Sequence, residues 1–323
     1  MTRVDVIIPT HNGGDLLKAC LRSLARSEFT DFSLIVFDDA SLPAVADLVH
    51  EVWSPATVIR SESNVGLAVG CNTAIATGAS EYVALLNDDT EVEAGWIGAL
   101  VDCADRNPDA GSVASKIKLM SDRGKLHSTG DFFSARGLPG NRGAWMDDVG
   151  QFDREEPVFS ACGGAALYRR AALDEIRLPD NQIFDERLFM YCEDVDLGWR
   201  LQIGRWPCVY APAAVVYHHV SATGGGPLAS YHVARNVLHV LSMSIPPGVL
   251  APFRARIIAC QAGRVARMAR HMREPAARAA LRGVVAGMAL AFRATRSRRA
   301  AGHVDVIRLR SLLTDNAPRY RGM

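Results

Sequence analysis

The chain has 323 residues, 49% hydrophobic and 22% charged, an ordinary globular composition long enough for one large domain with an appendage, or for two domains. Its net charge of +1 conceals a division: from Arg254 onward there are sixteen arginines, no lysine and three acids, a net +13, which leaves the first 253 residues at −12. The seven cysteines are scattered and form no C-x-x-C pair, which excludes a disulfide framework or a cysteine zinc site and reads as buried thiols in a reducing cytosol.

The first segment, "VDVII", is a short apolar strand ending at Pro9, with no charged-then-apolar leader before it. "THNGGDLLKACLRSLARS" starts with turn residues and becomes a helix, because Leu16, Leu17, Cys20, Leu21 and Leu24 recur at helical spacing. "FSLIVFDDAS" is a second strand closing on Asp38-Asp39, "AVADLVHEVW" a helix and "TVIRSE" a third strand. "NVGLAVGCNTAIATG" is a glycine turn running into a helix, and "EYVALLNDD" is a fourth strand. Strands that are continuous apolar runs, alternating with helices, predict a parallel sheet covered on both faces. Ligands of such sheets bind beyond the carboxyl ends of the strands, where Pro9-Thr10, Asp38-Asp39, Asn64-Val65-Gly66 and Asn87-Asp88-Asp89 gather.

After about residue 110 the alternation weakens. Residues 121–158 read as a long loop region or short antiparallel strands. "FSACGGAALYRRAAL" reads as strand, glycine turn and strand passing into a helix, and "FMYCEDVDLGWRLQIG" as a helix entered through an acidic pair. "PCVYAPAAVVYHHVSATGG" is an extended stretch ending in two histidines, and residues 228–245 are helical. No run of 18 apolar residues occurs, so no membrane-spanning helix is expected.

"VDVIIPTHNGGDLLKACLRSL", "VFDDAS", "NVGLAVGCNTAI", "LLNDDTEV", "CGGAALYRR", "CEDVDLGWRL" and "VVYHHVSATGG" stand in the order found in glycosyltransferase family 2, which the chain resembles over roughly residues 3–240. The resemblance implies an α/β GT-A fold: a mostly parallel central sheet flanked by helices, with a helical C-terminal appendage. It implies a catalytic domain over 1–245, with a nucleotide-binding half to 110 and an acceptor-binding half after it, and a basic helical region over 246–323. The wording of "NVGLAVGCN" and "EDVDLGWRL" is most similar to the rhamnosyltransferase branch, which builds bacterial surface polysaccharides. The expected function is inverting transfer of a sugar, rhamnose above others, from a dTDP- or UDP-sugar to a saccharide acceptor, polyprenyl-linked if lipid-borne.

Each motif has a chemical reason. Charge builds on the departing diphosphate, and a divalent cation held by carboxylates neutralises it. Asn87-Asp88-Asp89 resembles the family's D-x-D motif with Asn87 in the first acidic place. The resemblance implies Asp89 as metal ligand for Mg2+ or Mn2+, Asp88 near the ribose or metal, and His218 completing the site. Strand alternation lets only one of His218 and His219 point inward. Glu193-Asp194 resembles the family's acidic pair, with Asp194 as the general base that takes the acceptor proton and Glu193 beside it. Pro9, Thr10, Asp38 and Asp39 match the positions that hold the base and ribose, Asn64 and Gly66 the next contact, and Arg235 a cation near the diphosphate. Gly163 and Gly164 leave room for sugar.

The tail interleaves its arginines with Ile, Val, Met, Ala and Leu. Over 254–299 it suits an anionic membrane surface, at the inner face of the plasma membrane of a cytoplasmic protein. Packing on the catalytic domain and a homo-oligomer interface stay open beside it. Nucleic acid is disfavoured, since no groove-reading motif occurs. Two other functions compete: a nucleotidyltransferase acting on sugar phosphates, which would not need the late "EDVDL" and "YHH" segments, and a non-catalytic sugar-nucleotide-binding protein, which would not need Asp89, Asp194 and His218.

Overall fold

The computed structural model describes residues 2–220, 226–294 and 304–314. In chain order the first half runs β1 (Val4–Thr10), α1 (Gly14–Leu24), β2 (Phe32–Asp38), α2 (Ala46–Val52), β3 (Thr57–Arg60), α3 (Leu67–Thr77), β4 (Tyr82–Leu86), β5 (Thr90–Val92) and α4 (Trp96–Arg106). Then come β6 (Ser112–Leu119), β7 (Leu126–Ser128), β8 (Asp131–Ser134), β9 (Pro139–Asn141), β10 (Glu156–Val158), β11 (Ala165–Arg169), α5 (Arg170–Glu175), α6 (Glu193–Ile203) and β12 (Cys208–His218). The chain closes with α7 (Gly226–Met243), α8 (Pro247–Leu250), α9 (Arg254–Arg270), α10 (Pro275–Ala294), α11 (Val306–Ser311) and β13 (Leu313–Thr314).

One sheet organises the body, in the order β10-β12-β6-β11-β4-β1-β2-β3, with β5 against β12 and β7 against β6. β4, β1, β2 and β3 are parallel, while β11 lies antiparallel between β4 and β6. The apolar runs are explained by burial on both faces. Val4, Val6 and Ile8 join Leu34, Val36, Ala84 and Leu86 under α1 and α4. The alternate residues Ile7, Ile35, Phe37, Val83 and Leu85 pack under α3 and α6 on the other face. A third cluster, Phe133, Phe159, Trp199, Val237, Val240 and Leu309, joins α6 to α7 and to α11.

Two expectations change. "FSAC" is not a strand: Glu156–Val158 before it pairs with β12, and within it Ser160 forms an isolated bridge to Asp131. A helix long and apolar enough to cross a membrane also exists, since Pro275–Phe292 of α10 has a mean hydropathy of 1.2. A search for consecutive apolar residues misses it because Arg278 and Arg282 interrupt the run. The helix lies along α7, and Gly283 and Gly287 are the reason. A Cβ on either would strike the α7 backbone at Tyr231 or Arg235, so the two axes approach as only glycine allows. Residues 221–225 of the last motif and 295–299 of the basic segment lie outside the described residues.

Candidate active site at the strand ends

β1, β2 and β4 lie side by side and stop together, and a cavity of about 470 Å³ opens beyond their ends. The first half supplies Pro9 and Thr10 at the end of β1 and His11 after it, Asp39 after β2, Asn64 and Gly66 before α3, and Asn87, Asp88 and Asp89 after β4. The later half supplies the opposite wall: His127, Asp131, Gly163, Gly164, Glu193, Asp194 and His218, with Phe189, Met190 and Tyr191. Gly66 sits at φ +90°, and a Cβ there would overlap the Phe189 ring, so glycine is required both for the turn and for the close approach.

The acidic turn is tightly held. Thr10 Oγ1 donates to Asp88 Oδ2 at 2.6 Å, and the Asn87 N–H donates to the Gly164 carbonyl at 2.9 Å. Burial pushes the Asp88 carboxyl up to about 6, against the Thr10 hydrogen bond and with help from the Asp89 charge. β12 reaches this turn because His218 pairs with Thr90 of β5, and the His219 N–H donates to the Asp89 carbonyl at 2.9 Å. His218 therefore faces the cavity, and its Nε2 lies 3.0 Å from Asp89 Oδ1. That distance suits an ion pair, yet Asp89 Oδ1 is buried and accepts no hydrogen bond, so the two atoms stand side by side and do not point at each other. Two ligands about 2.1 Å from one octahedral cation, at right angles, lie about 3.0 Å apart, so this pair fits a divalent ion. Among the described residues no group of three His, Cys, Asp or Glu side chains is arranged to hold a metal.

Across the cavity, α6 begins at the acidic pair. Phe189, Tyr191 and Cys192 before it all have φ near +65°, a sparsely populated backbone for such residues. Asn236 of α7 holds this loop, its Nδ2 donating to the Leu188, Met190 and Tyr191 carbonyls at 2.9, 2.8 and 2.7 Å. The Asp194 carboxylate accepts from the Gly163 N–H at 2.9 Å and the Val195 N–H at 2.8 Å. Burial pushes Asp194 up against those two bonds; burial and the Asp194 charge push Glu193 up as well. Glu193 Oε2 is buried without a hydrogen-bond partner. Asp196, two residues on, points elsewhere and is spent on Arg200 and Ser244.

Two expected contacts are corrected. Asp38 does not line the cavity: its carboxylate accepts from the Ser41 and Val45 N–H groups and pairs with Arg60, fixing the turn after β2. Arg235 also lies off the cavity, its guanidinium donating to Asn236 Oδ1 at 2.7 Å and the Arg187 carbonyl at 2.6 Å. Both are close in sequence to lining elements, but their polar atoms are consumed by the loops that shape the site. Asp39 does line the cavity and accepts from the Val65 and Gly66 N–H groups at 2.7 and 2.9 Å.

Sequence reasoning missed His11, His127 and Asp131. His11 follows Thr10 directly, and polar "HSTGD" among short strands was the available signal for the other two. Asp131 sits deep in the wall, facing Asn141 Nδ2 at 3.1 Å and the Ser160 hydroxyl at 3.4 Å. Burial, and then the Asp194 charge, hold its carboxyl well above the usual range.

The sequence model described as Glycosyl transferase family 2 matches residues 5–177. A Mycobacterium tuberculosis protein named N-acetylglucosaminyl-diphospho-decaprenol L-rhamnosyltransferase is 28% identical over 259 residues, covering 72% of this chain and 80% of that one. Among solved structures, S. aureus TarS 1-349 in complex with UDP-GlcNAc superposes with a TM-score of 0.54 at 19% identity, covering 80% of this chain and 73% of that one. The mannosyltransferase PcManGT from Pyrobaculum calidifontis, in complex with GDP-Man and Mn2+, gives 0.55 at 18% identity, covering 96% and 79%.

Proposed function

The chain belongs to glycosyl transferase family 2 and has the GT-A fold, and within that family we propose that it is an inverting, metal-dependent transferase. It moves a sugar, rhamnose above others, from a dTDP- or UDP-sugar to a saccharide acceptor carried on a polyprenyl diphosphate. The observation that carries the reading is the unbonded side-by-side pair of Asp89 Oδ1 and His218 Nε2, which lines the same cavity as Asp194. The mycobacterial relative, named as a rhamnosyltransferase on a decaprenol-linked sugar, supports the donor sugar and acceptor. The neighbour that holds GDP-Man with Mn2+ supports the cation.

Residues 1–245 form the catalytic unit in this reading, its first 110 residues holding the nucleotide and the rest the acceptor. Pro9, Thr10, Asp39, Asn64 and Gly66 hold the base and ribose. Asp89 and His218 would hold Mg2+ or Mn2+, with donor phosphates completing its oxygen shell, and the cation would neutralise charge on the departing diphosphate. Asp194 accepts the proton of the acceptor hydroxyl as that oxygen bonds the anomeric carbon and the sugar–diphosphate bond breaks on the opposite face, which inverts the configuration. The Gly163 and Val195 N–H groups orient its carboxylate. A panel of dTDP- and UDP-sugars, screened for stabilisation and for Mn2+- or Mg2+-dependent cleavage, tests this. A protein that binds such donors yet cleaves none with either metal is the non-catalytic binder instead.

The basic helices suit an anionic bilayer, which would hold the protein at the inner face of the plasma membrane. α9 has no buried residue along its 17. Ile258, Met272, Val285 and Met288 are exposed beside Arg270, Arg273, Arg278 and Arg282. Because Gly283 and Gly287 face α7, α10 offers its outer stripe to the lipid surface and lies on it. Phosphatidylglycerol vesicles should float the protein, neutral vesicles should not, and salt or a V285D/M288D variant should weaken flotation. Unchanged flotation in the variant, with a loss of dimer, would make this face a contact between copies.

A further inference from the structure

His127 has no role in the mechanism above, yet its backbone is set apart. Lys118 of β6 pairs with Leu126, while the next pair is Ile117 with Ser128. His127 is therefore the extra residue between them, a β-bulge, the device that re-aims a side chain beside many active sites. Here it brings the imidazole to His218: the two Nδ1 atoms are 3.1 Å apart, and the rings are 5.0 Å between centroids at 50°.

A neutral imidazole has one N–H. If His218 carried it on Nε2, the natural acceptor would be Asp89 Oδ1, 3.0 Å away, but that oxygen accepts no hydrogen bond. The contact with His127 is at hydrogen-bond distance, and with the His218 proton on Nδ1 it becomes a bond donated to His127 Nδ1. The Nε2 lone pair is then left facing the cavity beside Asp89 Oδ1.

We propose that His127 is a positioning residue of the metal site: it accepts the Nδ1–H of His218 and so fixes the tautomer and rotation in which His218 Nε2 and Asp89 Oδ1 bind one divalent cation together. This rests on the metal reading above. An outer partner of a ligating histidine is commonly a carboxylate, a backbone carbonyl or water. A second neutral imidazole does the same work without adding negative charge next to Asp88 and Asp89.

The test is Mn2+ titration of the full chain with UDP or dTDP present, with free Mn2+ read by electron paramagnetic resonance. His127→Leu should raise the Mn2+ Kd about 10- to 100-fold. Nucleotide binding without metal should be unchanged. His127→Asn, which keeps an acceptor, should restore much of the loss, a rescue that simple cavity filling would not give. In a His218→Ala background, His127→Leu should add nothing, since it acts through the missing ring. A His127→Leu Kd equal to wild type, or a full loss that adds to His218→Ala, overturns the proposal. Wild type that binds neither Mn2+ nor Mg2+ with nucleotide present overturns the metal reading itself.

Discussion

Asp194→Asn is expected to lower kcat about a hundred- to ten-thousand-fold, the usual contribution of a general base, with donor binding unchanged. The amide is the same size as the carboxylate but cannot take a proton. Donor affinity is the discriminating measurement, because Asp194 comes from the later half of the chain, while the nucleotide residues and Asp89 come from the first. The Gly163 and Val195 N–H groups aim at its oxygens. An amide oxygen can keep one of these bonds but must turn its NH2 toward the other donor, so a modest stability loss accompanies the kinetic one. Glu193→Gln should cost less, because its Oε2 is unpartnered, whereas both Asp194 oxygens are held by backbone N–H groups. The pH profile carries a second signature. Burial pushes both acids of the pair up, so wild-type transfer should rise with pH through a range above that of an ordinary carboxylate, and Asp194→Asn should flatten that limb. If Asp194→Asn loses donor binding and keeps the kcat of the remaining complex, the residue is a donor ligand and not the base.

The sheet was legible because burial on both faces writes itself as unbroken apolar runs, and strand-end placement then located Thr10, Asp39 and Asp89 without any structure. What stayed hidden depended on side-chain direction. Asp38 and Asp39 are adjacent and identical, but one caps its own turn and pairs with Arg60 while the other lines the cavity. Period-two alternation decides between His218 and His219 only once the β12–β5 register is known. His127 was out of reach for a sharper reason: a one-residue bulge in a three-residue strand leaves no periodic trace. That α10 is long and apolar enough to cross a membrane was missed since two arginines break its apolar run, although the Gly-Val-Val-Ala-Gly spacing marking the contact face is plain in the sequence.

Asp89→Asn should abolish the metal's effect on the protein while leaving the apo fold intact or firmer. Asp88 and Asp89 are adjacent and buried, and Asp88 is pushed up to about 6 partly by the charge of Asp89. Removing that charge relieves a repulsion that the Thr10 hydrogen bond opposes and a bound cation would offset further, so the metal-free variant should melt at or above the wild-type temperature. Adding Mn2+ with nucleotide should raise the wild-type melting point and leave the variant's unmoved. Transfer should fall about a thousandfold or more, since the cation's stabilisation of the leaving diphosphate amounts to several kcal/mol. Asp88→Asn should behave differently. Its Oδ2 already accepts from Thr10 at 2.6 Å, a bond that an amide oxygen can keep, so the loss should be smaller and Mn2+ stabilisation should persist. If the Asp89→Asn apo protein instead unfolds at a lower temperature and still gains from Mn2+, Asp89 serves the fold of the strand-end turn, and the cation binds elsewhere.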